Sequence, residues 1–171
     1  MNVRNMARCA LFAALLTVCA WISVPVADVA VTLQTLGVAL ALWLLGGKIG
    51  TLSIFVYLLL GAVGLPVFSG FQGGAGALLG ATGGYIMGFL LWALLYWLIT
   101  ARFPQKTILA MALGLLMCYG FGTVWFSRVY LQGGAGLGFV LLKCVVPYLV
   151  PDAVKLAAAW FLAKRLRRFV Y

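Results

Sequence analysis

Apolar residues run along this chain in long, nearly unbroken stretches. They do not alternate as in a half-buried strand, nor form the one-sided stripe of a surface helix. Six spans are predicted. The first runs near Met6 to Val26 and stops at Pro25 and Asp28. The second, near Gln34 to Leu45, stops at Gly46-Gly47-Lys48, and the third runs near Ile49 to Val63 and ends at Gly64-Leu65-Pro66. A glycine-rich stretch, Ser69 to Gly84, leads to a fourth span near Tyr85 to Ala101, stopped by Arg102, Pro104 and Lys106. The fifth lies near Thr107 to Phe126. A second glycine-rich loop follows, then an apolar segment near Leu137 to Val150 interrupted by Pro147, and a sixth span from Pro151 to about Ala163. Pro151 suits the first turn of a helix, where its missing N–H is no loss. Spans two and three fall short of the ~20 residues of a straight crossing, which suits a thin or partly irregular region enclosed by protein. The expectation is an all-α integral membrane protein, a six-transmembrane-helix bundle with glycine-rich outer loops, forming a single transmembrane domain over residues 1–171.

Composition agrees. Hydrophobic residues make up 66% of the chain and charged residues 8%, against about 25% charged in an ordinary soluble domain. Arg4 and Arg8 precede the first apolar run as they would in a signal peptide, but its length and the lack of a small-x-small cleavage site predict a retained helix. The net charge of +10 would suit a nucleic-acid partner only if the cations gathered in a patch, and they lie between apolar runs instead. Six spans place both termini on one side. Arg4, Arg8, Lys48, Arg102, Lys106, Lys164, Arg165, Arg167 and Arg168 then share that side, which the positive-inside rule makes cytoplasmic. Arg128, Lys143, Lys155, Asp28 and Asp152 fall toward the outer side. Cys9, Cys19, Cys118 and Cys144 lie far apart in apolar stretches, and there is no histidine; they read as buried small residues, and no metal or cofactor is expected.

Candidate chemistry begins with Pro151-Asp152-Ala153-Val154-Lys155. Asp152 and Lys155 share one helix face, and charges in a span usually face protein or a cavity. Asp152 is expected in the first helical turn, where the dipole favours an anion. The pair reads either as a polar ligand site or as an internal salt bridge that orients the helix. Gly64-Leu65-Pro66-Val67-Phe68-Ser69-Gly70-Phe71-Gln72-Gly73-Gly74, continuing to Tyr85, is dense enough in glycine for close backbone approach to a ligand. Phe68, Phe71 and Tyr85 would wall an apolar pocket and Gln72 supply an amide; ordinary packing is the other reading. No phosphate-loop pattern is present. Gln72-Gly73-Gly74-Ala75-Gly76 recurs as Gln132-Gly133-Gly134-Ala135-Gly136, either as two loops facing one cavity or by coincidence. Thr32 and Gln34 are polar at the mouth of the second span, as ligand groups or as a local cap. Ala10 and Ala14 put two small side chains on one face of the first helix, which permits close approach of another helix.

Together, Thr32-Leu33-Gln34, the block from Gly64-Leu65-Pro66-Val67 to Thr82-Gly83-Gly84-Tyr85, and Pro151-Asp152-x-x-Lys155 resemble the BioY family, the biotin-binding S components of energy-coupling factor (ECF) transporters. The resemblance implies a substrate-binding domain with a biotin pocket opening outward. It also implies a coupling transmembrane protein and two ATPase subunits as partners, with Ala10 and Ala14 meeting the coupling protein. The location implied is the bacterial cytoplasmic membrane. Asp152 and Lys155 match the family's ligand pair. Gln72 stands where some members have asparagine, and Tyr85 matches, but Ile86 stands where some have arginine. Arg128 and Lys143 are the substitutes to consider for holding the biotin carboxylate. Thr32, Gln34, Phe71, Gly73 and Gly74 complete the expected ligand set. Asp152 would accept from a ureido N–H while Lys155 donates to the carbonyl or the carboxylate. Within transport the rival is an S component for thiamin or riboflavin. A membrane enzyme would need Asp152 with Ser69 or Ser127, and a pore would need polar rows along several spans.

Overall fold

The computed structural model of the protein describes residues 2–26, 29–130 and 136–170. Asp28, expected to end the first span, and Gln132 to Ala135, the core of the second glycine motif, lie outside the described residues. The chain is mostly helical. In order it forms α1 (Val3–Trp21), β1 (Ser23–Val26), β2 (Val29–Thr32), α2 (Gln34–Ala62), a 3-10 turn (Ser69–Phe71), α3 (Ala75–Leu79), α4 (Gly83–Arg102), α5 (Thr107–Trp125), a π-turn (Phe126–Tyr130), α6 (Leu137–Cys144) and α7 (Val146–Val170). Among the described residues five helical segments, the first four long helices and α7, are long and apolar enough to cross a membrane. Large apolar side chains such as Leu11, Leu98, Leu142 and Phe161 stand on the outside of the bundle, as a lipid solvent requires. This is a multi-pass membrane protein.

The expected second and third spans form one element, but its backbone breaks at Gly46, which takes φ 76° and ψ 172°. That conformation is open to glycine and strained for other residues. The chain reverses there. Gln34 Nε2 donates to Tyr57 OH at 2.8 Å, although 23 residues of straight helix would hold them about 34 Å apart. Gly50 packs directly on the Ala41 carbonyl. The two short arms of α2 thus lie against each other, with α1, α4 and α7 packed around them.

Three expectations are corrected. The fold is not purely helical, because α1 ends at Trp21 and Ser23–Val26 pairs antiparallel with Val29–Thr32. Valine-rich sequence suits a pleated ribbon, and Pro25 cannot continue a helix. The stretch Ser69 to Gly84 is only partly loop, since it holds the 3-10 turn, α3 and the start of α4. Finally, α7 starts at Val146, so Pro151 lies inside the helix and Asp152 sits beyond its first turn. A membrane helix tolerates an interior proline when neighbours satisfy the freed backbone. The macrodipole therefore does not account for a carboxylate at this position.

Packing between α4 and α5 depends on glycine. A Cβ on Gly84 would strike Trp125, on Gly88 Cys118, on Gly114 Trp92, and on Gly122 Tyr85. Each notch on one helix receives a side chain or sulfur from the other. Lipid supplies no hydrophobic drive for helix association, so such close approach is what holds the pair together.

Candidate functional site

Asp152 is 3% exposed and Lys155 9%, one helical turn apart on the inner face of α7. Lys155 Nζ lies 2.7 Å from Asp152 Oδ1. Thr35 Oγ1, from the first arm of α2, donates to the same oxygen at 2.9 Å. Tyr119 OH, from α5, donates to Oδ2. Three helices thus converge on one carboxylate. Among the described residues three of its roughly four acceptor positions are used, leaving one on Oδ2. Lys155 spends one of three N–H donors on this pair, and no second protein acceptor for it is found among the described residues.

Beside this cluster lies a cavity enclosing about 740 Å³ of unfilled space, counted out into its mouth. Phe68, Tyr85, Ile86, Phe89, Leu115 and Tyr148 form apolar and aromatic wall, and Thr32, Gln34, Ser69, Gln72 and Thr82 add polar groups. The Tyr85 hydroxyl is buried without a well-formed hydrogen bond, as is that of neighbouring Thr123.

Most sequence-predicted ligand residues meet here: Asp152, Lys155, Gln72, Tyr85, Thr32 and Gln34 all line the cavity. Thr32 and Gln34 are also tied locally. The Thr32 hydroxyl donates to Gln34 Oε1 at 2.8 Å and accepts from the Gln34 backbone N–H at 3.2 Å. Gln34 Nε2 donates to the Tyr57 hydroxyl, which in turn donates to the Val67 carbonyl at 3.1 Å. Gln34 therefore braces the loop after α2, and Trp21 Nε1 pins the same loop at Pro66 O, 2.8 Å away.

Phe71, Gly73 and Gly74 do not line the cavity. Phe71 is 64% exposed and lies against Trp21, with ring centroids 5.0 Å apart. Gly73 presses on the Leu65 carbonyl, and the Gly74 N–H donates to Gly61 O at 2.7 Å. These glycines serve backbone packing at the end of α2. Arg128 and Lys143 are exposed and off the cavity, with Lys143 Nζ 5.8 Å from the Phe139 ring centroid. Ala10 and Ala14 stand on the outward face of α1. Sequence reading missed Thr35 and Tyr119. Each is a hydroxyl inside an apolar span, and that polarity was the available signal.

Residues 1–171 match the sequence model of the BioY family. A probable biotin transporter BioY of Pyrococcus horikoshii is 42% identical over 98% of both chains. The biotin transporter BioY of Thermotoga maritima is 38% identical over 97% of both. Among solved structures, the S-component for biotin from an ECF-type ABC transporter superposes with a TM-score of 0.85 and 27% identity, covering 97% of this chain and 92% of that one.

Proposed function

The chain belongs to the BioY family, and on that premise we propose that it captures biotin for uptake as the S component of an ECF-type transporter. The observation that carries this reading is the Asp152–Lys155 pair, held by Thr35 and Tyr119 at the wall of an aromatic cavity. A structural salt bridge alone needs no cavity. A guest with adjacent N–H and carbonyl groups uses what the pair has left over, one acceptor position and two donors. The ureido ring of biotin has both. Its N–H meets Asp152 Oδ2, and its carbonyl accepts from Lys155. The bicycle rests against Phe89, Tyr85 and Tyr148, and Gln34 and Thr32 act mainly by holding the mouth.

The valerate carboxylate then points to the mouth, where Gln72, Ser69 and Thr82 offer neutral donors in place of the arginine that Ile86 displaces. Each arm of α2 makes its own crossing in this reading, giving six crossings with both termini in the cytoplasm. The nine cations of the basic end support that orientation. In this reading energy comes from separate ATPase subunits through a coupling membrane protein, as the likeness to the S-component of an ECF-type ABC transporter suggests. The outward, small-residue face at Ala10 and Ala14 suits contact with that protein.

Labelled biotin bound to the purified chain is expected to be displaced by unlabelled biotin and left in place by equal concentrations of thiamin or riboflavin. Displacement by either of those vitamins as effective as by biotin would overturn the assignment.

A further inference from the structure

We propose that the basic end of the bundle carries a second site, for one anionic phospholipid. A groove on the outside of the bundle, between α2, α5 and α7, offers about 360 Å³ of space. Trp43, Ile108, Met111, Ala157, Trp160 and Phe161 line it. Its walls are apolar throughout and suit an acyl chain. Two cations rest directly on groove residues. Arg167 Nη2 donates to the Trp43 carbonyl at 3.3 Å, and Lys164 Nζ lies 5.4 Å from the Trp160 ring centroid. Both follow Trp160 in the last turns of α7, at the end where the bundle meets the headgroup layer.

Among the described residues no carboxylate side chain answers these cations. The chain has two acidic residues; Asp28 lies outside the described residues, and Asp152 is paired with Lys155 in the cavity. The indole N–H of Trp43 is also buried without an acceptor. A zwitterionic lipid would bring a positive choline to Lys164 and Arg167, whereas an anionic headgroup brings only the charge they lack. Basic pockets between helices at a membrane face are a recurrent means of holding anionic headgroups. The site is separate from the biotin cavity, and its occupancy does not depend on the function proposed above.

Native mass spectrometry of the purified full chain can test this, in detergent supplemented with phosphatidylglycerol or phosphatidylcholine of identical acyl chains. Retention of phosphatidylglycerol over phosphatidylcholine is expected. The preference should fall about fivefold for Lys164→Gln and further for Lys164→Gln combined with Arg167→Gln. Arg128→Gln, on the other half of the bundle, should leave it unchanged. Ala157→Phe should fill the groove and reduce retention of both lipids. Equal retention of the two lipids by the unaltered chain would overturn the proposal. So would a preference that survives the double substitution, or lipid retention indifferent to Ala157→Phe.

Discussion

The two sides of α5 show how one membrane helix serves opposite needs. Toward α4 it presents Gly114 and Gly122, which admit Trp92 and Tyr85 into close contact. Toward α7 and α2 it presents Tyr119, which reaches a buried carboxylate at the edge of a cavity. The first surface is stabilised by dispersion and close backbone approach. The second keeps unfilled volume and a buried charge, both costly unless every polar atom is answered. Specificity can then reside in the polar side because the close-packed side holds the helices in place.

Substitution on the two sides should accordingly differ in kind. Gly114→Leu drives a side chain into the Trp92 indole, an overpacking change costing about 3 kcal/mol or more. Thermal unfolding in detergent should show a large fall in midpoint or no folded protein, with biotin binding lost alongside. A variant that keeps both would mean that the α4–α5 contact is not what supports the cavity. On the polar side, Tyr119→Phe removes a hydrogen bond to a charged group, worth about 2 kcal/mol. It should lower the unfolding midpoint moderately and weaken biotin about tenfold as Oδ2 loses its fixed direction. Thr35→Val should do the same to a smaller extent, because Lys155 still holds Oδ1.

The contrast also explains what the sequence made legible. Asp152 and Lys155 stood out because charges are rare in an apolar run, and the structure puts both in the wall of the cavity. Long apolar helices were readable from hydropathy, but the first ends at Trp21 rather than Val26 and the last starts at Val146 rather than Pro151. The reversal at Gly46 was marked by Gly46-Gly47-Lys48. Thr35 and Tyr119 were not, since a hydroxyl in a span reads the same whether it bonds its own backbone, as Thr17 does, or a distant carboxylate. Phe71 and the pair Gly73-Gly74 were misplaced because glycine density signals close backbone approach but not what is approached, here the end of α2. Pro151 misled for a related reason. A proline at a helix start and one inside a membrane helix look alike without the neighbours that satisfy the backbone.

The smallest effect concerns the ligand's tail. With Ile86 in the wall and Arg128 and Lys143 away from the cavity, the carboxylate meets only neutral donors in the proposed pose. Biotinamide should therefore bind within about tenfold of biotin, the worth of a neutral hydrogen bond or two. A loss of several hundredfold would place the carboxylate on Lys155 and turn the ligand end for end.

Asp152 and Lys155 must be tested together, because removing one strands the other as an unpaired buried charge and confounds folding with binding. The double substitution Asp152→Asn with Lys155→Gln keeps two polar amides of similar size while deleting both charges. Calorimetric titration of biotin into that variant, once its unfolding midpoint is shown to lie near that of the unaltered chain, should give an affinity lower by about a hundredfold or more. A folded double variant that binds biotin as tightly as the original would contradict the account.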